Sequence, residues 1–342
     1  MVSTYPGAPA RDEIDGVRVH RRGHWLVANY ILPGVVRGLL RRQRYDLLVE
    51  DINKIPFYTP LYRRGVPVLA MVPHLFGSTV FREANPFVAT YVWSSERAIP
   101  HVYGQVAFEV ISPSTAEDLV GRGIPERNIR TILCGIDHES LTLSDPPPRS
   151  DTPLIVTWSR LRRYKSIDVA IRAFALIVER LPAARMLIMG RGPDADRLQR
   201  LTRRLGLAER ITFQGYLPWD ELVRTLHRGH VCLNPSPKEG WGLTVIEANQ
   251  CGLPVVASNR PGLRDSVRDG ETGFLVPYGD AEAFAAATLR LLTEPDLLAA
   301  QRRAAVAWAG GFSWDRCAQE SLAYFQEVVG GQASPPGSGG EA

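Results

Sequence analysis

The 342-residue chain has no apolar run approaching the roughly 20 residues that a bilayer-crossing helix needs, so no stretch of it reads as a helical membrane span. It also lacks a strong excess of either charge. Forty Lys and Arg face 36 Asp and Glu, a formal +4. With no basic run interleaved with aromatics, that balance points away from nucleic acid as a partner. Cysteine is scarce: Cys134, Cys232, Cys251 and Cys317 lie far apart and without metal-ligand spacing. They read as reduced, mostly packed thiols. The polar, Pro-containing start from Val2 to Ala10 does not resemble a secretory signal, and the expectation is a cytoplasmic protein, attached at most to the cytoplasmic face of a membrane. No internal repeat is present, which excludes a solenoid.

What is present is a globular profile, 45% hydrophobic and 22% charged, on a chain long enough for two α/β domains. Short apolar runs alternate with amphipathic stretches, the pattern of βαβ units around parallel sheets. In the first half, strands are expected near 17–20, 46–50, 66–72, 107–111 and 129–134, with helices near 29–44 and 114–122. The stretch Ser144-Asp-Pro-Pro-Pro-Arg-Ser-Asp-Thr152 breaks every period, because three prolines in a row cannot continue a helix or a central strand. It reads as a linker. The second half alternates more regularly. Strands are expected at 154–158, 184–189, 211–214, 230–233, 254–257 and 273–276, and helices at 167–180, 194–205, 219–228 and 243–250. Three further helices follow, near 281–292, 297–308 and 314–328, before a Gly/Ser/Pro-rich tail at 330–342 that is expected to be disordered.

Candidate chemistry gathers after strands of the second half, where open α/β sheets place ligands. The first of these strands runs into Trp158-Ser-Arg-Leu-Arg-Arg-Tyr-Lys165-Ser-Ile-Asp168. Arg160 and Lys165 offer two cations for an anionic diphosphate; taken alone, two basic residues in an arginine-rich loop are more simply solvated. A later strand leads into Pro235-Ser-Pro-Lys-Glu239-Gly-Trp-Gly-Leu-Thr-Val-Ile-Glu247. Gly240 and Gly242 let backbone approach a ligand, and the helix start supplies N–H groups and a positive dipole end. If helical, the step from Glu239 to Glu247 spans roughly 12 Å, comparable with the sugar-to-ribose distance in a nucleotide sugar. The bland alternatives are a dipole-favoured acid at a helix start for Glu239 and an exposed helix carboxylate for Glu247. Both applying at once beside two glycines is the weaker reading.

These residues resemble the family 4 glycosyltransferases of the GT-B fold. The resemblance rests on Glu239 and Glu247 with seven residues between them, and on Arg160 and Lys165 at their spacing. Gly190-Arg-Gly192-Pro193 and Asp269-Gly-Glu-Thr-Gly-Phe-Leu-Val-Pro277 add to it. It covers the second half closely and the first half more loosely, through Ile111-Ser-Pro-Ser-Thr-Ala-Glu-Asp-Leu119 and Cys134-Gly-Ile-Asp137. It implies two Rossmann-like doubly wound domains: an acceptor-side domain at 1–149, joined by a C-terminal helix at 313–329, and a nucleotide-sugar-binding domain at 150–312. Phe312-Ser-Trp-Asp315 matches the start of that returning helix. The resemblance also implies sugar transfer from a nucleoside-diphosphate sugar to an acceptor hydroxyl, with retention and with neither metal nor cofactor. Arg160 and Lys165 would stabilise the leaving diphosphate. Glu239 would bind the donor sugar with the backbone of Gly240, Trp241, Gly242 and Leu243, Glu247 would bind the ribose, and Leu217 would contact the base. His74, in Met71-Val-Pro-His-Leu-Phe76, resembles the acceptor-side histidine; an ordinary loop histidine is the equal alternative. Acceptors of the class are sugars, lipid-linked molecules or small molecules.

Members of the family begin with a strand, a Gly-rich loop and a helix that this sequence does not show, so the first domain is expected to be incomplete and the chain to be internal to a longer one. Two other functions use the same site: a sugar-nucleotide epimerase of the same fold, which needs no acceptor, and a non-catalytic nucleotide-sugar-binding fragment. A pyridoxal-dependent phosphorylase finds no lysine singled out for its cofactor. Asp194-Ala-Asp196 has a metal-diphosphate form, yet it sits at a helix start where acids are common. Gly190-Arg-Gly192 lacks the third glycine and the ribose acid of a dinucleotide loop. From Val17 to Tyr45 there are seven arginines and no acid, with Trp25, Leu26, Val27, Tyr30, Ile31 and Leu32 among them. One reading is a face for anionic lipid, a peripheral membrane contact; the plainer one is a helix packing its apolar stripe.

Overall fold

The computed structural model describes residues 1–5, 7–24, 27–53, 55–82 and 84–331. Trp25 and Leu26 of the arginine-rich stretch, and residues 332–342 of the tail, lie outside these. The chain divides into two compact units, 1–132 with the segment from Gln319 onward, and 133–318.

In the first unit, β1 (Val2–Ser3), β2 (Arg11–Ile14) and β3 (Val17–Arg21) form a small sheet of their own, followed by α1 (Ala28–Arg42). Then β4 (Leu48–Asp51), β5 (Val68–Val72), β6 (Ala107–Val110) and β7 (Ile129–Thr131) pair in parallel in chain order. The central strands β5 and β6 read as nearly continuous apolar runs because both their faces are covered. Leu69, Val72, Phe108 and Val110 are fully buried with Tyr103 and Leu119 from the flanking helices. β7 ends at Thr131, short of the expected Cys134, since the chain enters the second unit from Leu133.

Within the first unit, two helices stand where the sequence reading had no element: α2 (Pro86–Arg97) and α3 (Ile99–Tyr103), before α4 (Pro113–Gly121). The reason is local. Asn85 caps α2 by accepting the Val88 N–H at 3.0 Å, and Pro86 takes the first helical position, where its missing N–H costs nothing. Helix α1 buries only Ala28 and Leu32, so it does not pack a full apolar stripe; Tyr30 and Ile31 stay exposed.

The second unit contains α5 (His138–Leu141), β8 (Leu154–Trp158), α6 (Ile167–Arg180), β9 (Arg185–Met189), α7 (Ala195–Arg204), β10 (Ile211–Gly215), α8 (Trp219–Arg228) and β11 (Val231–Asn234). It continues through α9 (Leu243–Gln250), β12 (Val255–Ser258), α10 (Leu263–Ser266), β13 (Gly273–Val276), α11 (Ala281–Thr293), α12 (Pro295–Ala309) and the start of α13 (Trp314–Val329). Its six parallel strands run β10-β9-β8-β11-β12-β13. The order therefore reverses at β8, and such a reversal opens a crevice at the carboxyl ends of the two strands that flank it, β8 and β11. Ile167, Ala170, Ile171, Phe174 and Ile177 recur at helical spacing and give α6 one buried face against Ile155, Ile188 and Phe284.

The segment 133–149 groups with this second unit. Arg149, at the end of the proline-rich stretch, donates to the carbonyls of Gly229, Cys251 and Gly252. The latter part of α13 groups with the first unit. There Ser321 donates to Glu109 at 2.8 Å, and Arg130 pairs with Glu327 at 2.7 Å. No described helix is long and apolar enough to cross a membrane. All four cysteines are free.

Candidate active site

The loop after β8 is held by backbone. Ser159 N–H donates to Met189, Leu161 N–H to Arg191 and Asp194 N–H to Leu161, at 3.1, 2.9 and 3.0 Å. A Cβ on Gly190 would collide with the Ser159 carbonyl, and one on Gly192 with the Leu161 carbonyl. The Gly190-Arg-Gly192 segment is thus a seam between two strand-end loops, which is why its glycines resemble a dinucleotide loop without being one. The seam fixes Arg160 between two anchored neighbours with its side chain exposed. Arg160 Nη2 donates to the Tyr164 hydroxyl at 3.4 Å, and Lys165 Nζ lies 5.2 Å from the centre of the same ring. Lys165, in a 3-10 turn at Arg163–Lys165, then reaches Glu239 Oε1 at 2.5 Å. Both side chains of this pair are mostly sheltered, 12% and 18% exposed. Residues 74 positions apart thus meet across the crevice between β8 and β11.

Glu239 is held from behind by a loop that sequence reasoning passed over. Its N–H donates to Pro261 at 3.1 Å. Gly262, at φ +81°, sits so close to the Glu239 carbonyl that any Cβ would strike it. Trp241 is 2% exposed and packs edge-on against Phe312 at 5.4 Å. Its side chain anchors the loop, leaving its backbone as what it can offer a donor. Gly242 caps α9 at φ +84° without a side-chain cap; Val245 N–H turns back to the Gly242 carbonyl at 2.8 Å, and the N–H groups ahead of it precede the intrahelical ladder. Helix α9 starts at Leu243, as its spacing predicts, so residues 239–242 are loop and the step from Glu239 to Glu247 is helical only in its later part. Glu239 is therefore not an acid of the first helical turn, and Glu247 is not an exposed helix carboxylate. Burial pushes the Glu247 carboxyl up to about 7.

Leu217 lies partly buried beyond β10, next to an exposed Tyr216 whose ring faces the Arg191 guanidinium at 5.9 Å. Gly240 and Leu243 are partly buried on either side of Trp241. His74 belongs to the first unit, in the loop after β5, with its ring 4.9 Å from that of Phe76. The Asp194-Ala-Asp196 decoy resolves as an ion pair: Arg197 grips Asp194 at 2.6 and 2.7 Å and also reaches Asp168. Among the described residues, no three His, Cys, Asp or Glu side chains gather as a metal-ligand set. Besides Pro261 and Gly262, sequence reasoning passed over Tyr164, whose only signal is its place between Arg160 and Lys165. Ser166 takes a left-handed φ of 53° before α6 and shares a hydrogen bond of 3.1 Å with Tyr278.

The family model described as "Glycosyl transferases group 1" matches residues 142–308. A D-inositol 3-phosphate glycosyltransferase of Acidothermus cellulolyticus is 30% identical over 269 residues, covering 74% of this chain and 57% of that protein. One from Nocardia farcinica is 38% identical over 185 residues, 52% of this chain and 41% of that protein. The chain spans about half the length of these curated relatives. Among solved structures, sucrose-phosphate synthase from Thermosynechococcus elongatus superposes with a TM-score of 0.75 at 23% identity, over 96% of this chain and 88% of that one. HepE from Anabaena, solved with UDP and glucose, gives 0.72 at 17% identity over 91% and 87%. At these identities the likeness is one of fold, the GT-B fold with its two parallel-sheet, Rossmann-like units.

Proposed function

We infer that this chain, which belongs to the group 1 glycosyltransferases through residues 142–308, transfers a hexosyl group from a nucleoside-diphosphate sugar to an acceptor hydroxyl. The observation that carries the reading is the Lys165–Glu239 pair, 2.5 Å apart where the strand order reverses. As the bond from sugar to diphosphate breaks, negative charge grows on the leaving phosphate. The Lys165 ammonium and the exposed Arg160 stabilise that charge, and the open N-terminus of α9 adds its dipole. Glu239 accepts hydrogen bonds from hydroxyls of the adjoining sugar. Its pairing with Lys165 matches the adjacency of sugar and phosphate in one ligand. Backbone at Gly240, Trp241, Gly242 and Leu243 lines the same place, Glu247 takes the ribose hydroxyls and Leu217 the base. His74 orients or deprotonates the acceptor.

On this reading the side-chain cations replace a metal ion, no cofactor takes part, and the family resemblance assigns retention of configuration. UDP-hexoses are the first donors to test because HepE was solved with UDP and glucose. D-inositol 3-phosphate is the first acceptor because relatives carry it in their names. We place the protein in the cytoplasm with a face for anionic membrane on α1. Val27, Tyr30 and Ile31 are exposed there beside the exposed Arg37, Arg41 and Arg42. Co-sedimentation with liposomes that does not depend on anionic lipid removes that face.

The experiment is a thermal-shift panel of UDP-, GDP- and ADP-sugars, followed by release of nucleoside diphosphate with and without D-inositol 3-phosphate. One nucleotide class raising the melting temperature, with acceptor-stimulated release, is the expected result. A new sugar nucleotide formed without acceptor marks an epimerase, and binding without turnover marks a binding fragment. No shift with any donor overturns the reading.

A further inference from the structure

In the first unit, α2 carries a carboxylate with no exposure to solvent, Glu96. Its Oε1 accepts the Phe76 N–H at 2.7 Å and its Oε2 the Gly77 N–H at 2.8 Å. Arg122 approaches Oε2 at 3.5 Å and is itself held by Asp118 at 2.8 Å. On the other side of the same loop, Thr115 donates to the Pro73 carbonyl at 3.2 Å and Thr79 to that of Phe76 at 2.6 Å. Residues 73–77, the loop that carries His74, are thus gripped from two helices, with the His74 ring leaning on Phe76.

Taking a carboxylate wholly out of water costs several kcal/mol unless charged partners and hydrogen bonds offset it. Holding a loop in some conformation does not require that, because turn residues do it on the surface at little cost. The arrangement makes physical sense where one loop shape must be preset, since a group misplaced by about 1 Å can cost a reaction about 100-fold. We propose that Glu96 is a positioning residue: through the amides of Phe76 and Gly77 it fixes the loop that presents His74 to the acceptor hydroxyl. The proposal rests on the glycosyltransferase reading and names a part of its acceptor side.

Four proteins test it: wild type, Glu96→Gln, His74→Ala and the double variant. The readouts are hydrogen–deuterium exchange of residues 73–79, UDP affinity, and release of UDP from UDP-glucose stimulated by D-inositol 3-phosphate. Glu96→Gln is expected to speed exchange in that loop and to lower acceptor-side kcat/KM by about tenfold to 100-fold, leaving UDP affinity within about twofold. In the His74→Ala background the same change should cost no more than about twofold further, since the two act as one unit. Unchanged exchange, unchanged acceptor kcat/KM or fully additive losses would each overturn the positioning role while the transferase reading stands. A wild-type protein that neither binds nor turns over any sugar of the UDP, GDP and ADP panel overturns both; should GDP or ADP be the nucleotide bound, the same readouts are taken with it. Should Glu96→Gln not fold, Thr115→Val, which gives up the bond to Pro73, is expected to bring the same loss on the acceptor side, and a wild-type kcat/KM in it overturns the proposal.

Discussion

The two units fix the loops at their strand ends by different means. In the second, backbone meets backbone: Gly190 and Gly192 press on the loop after β8, and Gly262 presses on Glu239, at contacts no side chain could enter. In the first, buried carboxylates reach across to backbone. Glu50, at β4, accepts N–H groups of Phe57 and Thr59 at 2.6 and 3.3 Å and the Tyr103 hydroxyl at 2.8 Å, while Glu96 holds Phe76 and Gly77. A seam of glycines leaves a mark at fixed spacing in the sequence. A carboxylate clamp leaves none, because its partners lie 19 and 20 residues away for Glu96 and as many as 53 for Glu50.

The largest effect should come from the site that the seams support. Lys165→Ala or Glu239→Ala is expected to lower donor turnover by about 100-fold to 1,000-fold, with the folded circular dichroism spectrum retained. Turnover at the wild-type level in both would remove the site assignment.

Next comes the seam itself. Gly262→Ala forces a Cβ onto the Glu239 backbone at positive φ and should cost more than about 2 kcal/mol. Gly270→Ala, at φ +78° in open space, should cost about 1 kcal/mol. Equal losses in chemical denaturation would mean that backbone strain alone, and not the seam, makes Gly262 necessary.

A smaller effect concerns pH. Glu247 has its carboxyl raised by burial from 4.5 to about 7, so the folded state holds a proton that the unfolded chain has lost between those values. Its contribution to stability is therefore present below about 4.5 and declines as pH rises to about 7, the reverse of a paired surface acid. If the ionised form takes ribose hydroxyls, UDP-glucose should bind more tightly as pH rises through about 7, with release of a proton. Glu247→Gln should flatten both trends in calorimetry; trends that persist in it must come from another group.

The smallest change is expected at Ser166, whose backbone is left-handed and whose hydroxyl meets that of Tyr278. Ser166→Gly relieves about 1 kcal/mol of left-handed strain and forfeits the bond with Tyr278, itself worth about 1 kcal/mol. A net change beyond about 0.5 kcal/mol in either direction would show that one of the two dominates.

The same contrast explains what could be read from the sequence. Most of the second unit's strands and helices followed from apolar periodicity, and α6, α8 and α9 have the bounds their spacing predicts; the four-residue α5 and α10 are too short to show a period. Arg160, Lys165, Glu239 and Glu247 were legible as types at a spacing. What spacing could not give was that Lys165 and Glu239 pair, since that depends on the strand order reversing at β8. Nor could it give that Trp241 turns into the interior. In the first unit α2 was missed although Asn85-Pro86 announces a helix start, and with it Glu96, whose partners are joined to it only through tertiary packing.

The central claim is that Lys165 serves the phosphates and Glu239 the sugar, side by side. Calorimetric titration of UDP and UDP-glucose into wild type, Lys165→Ala and Glu239→Ala tests it most directly. Lys165→Ala is predicted to weaken both ligands by about tenfold or more, and Glu239→Ala to weaken UDP-glucose while sparing UDP. A Glu239→Ala variant that loses UDP as severely as UDP-glucose, or loses neither, would contradict the account.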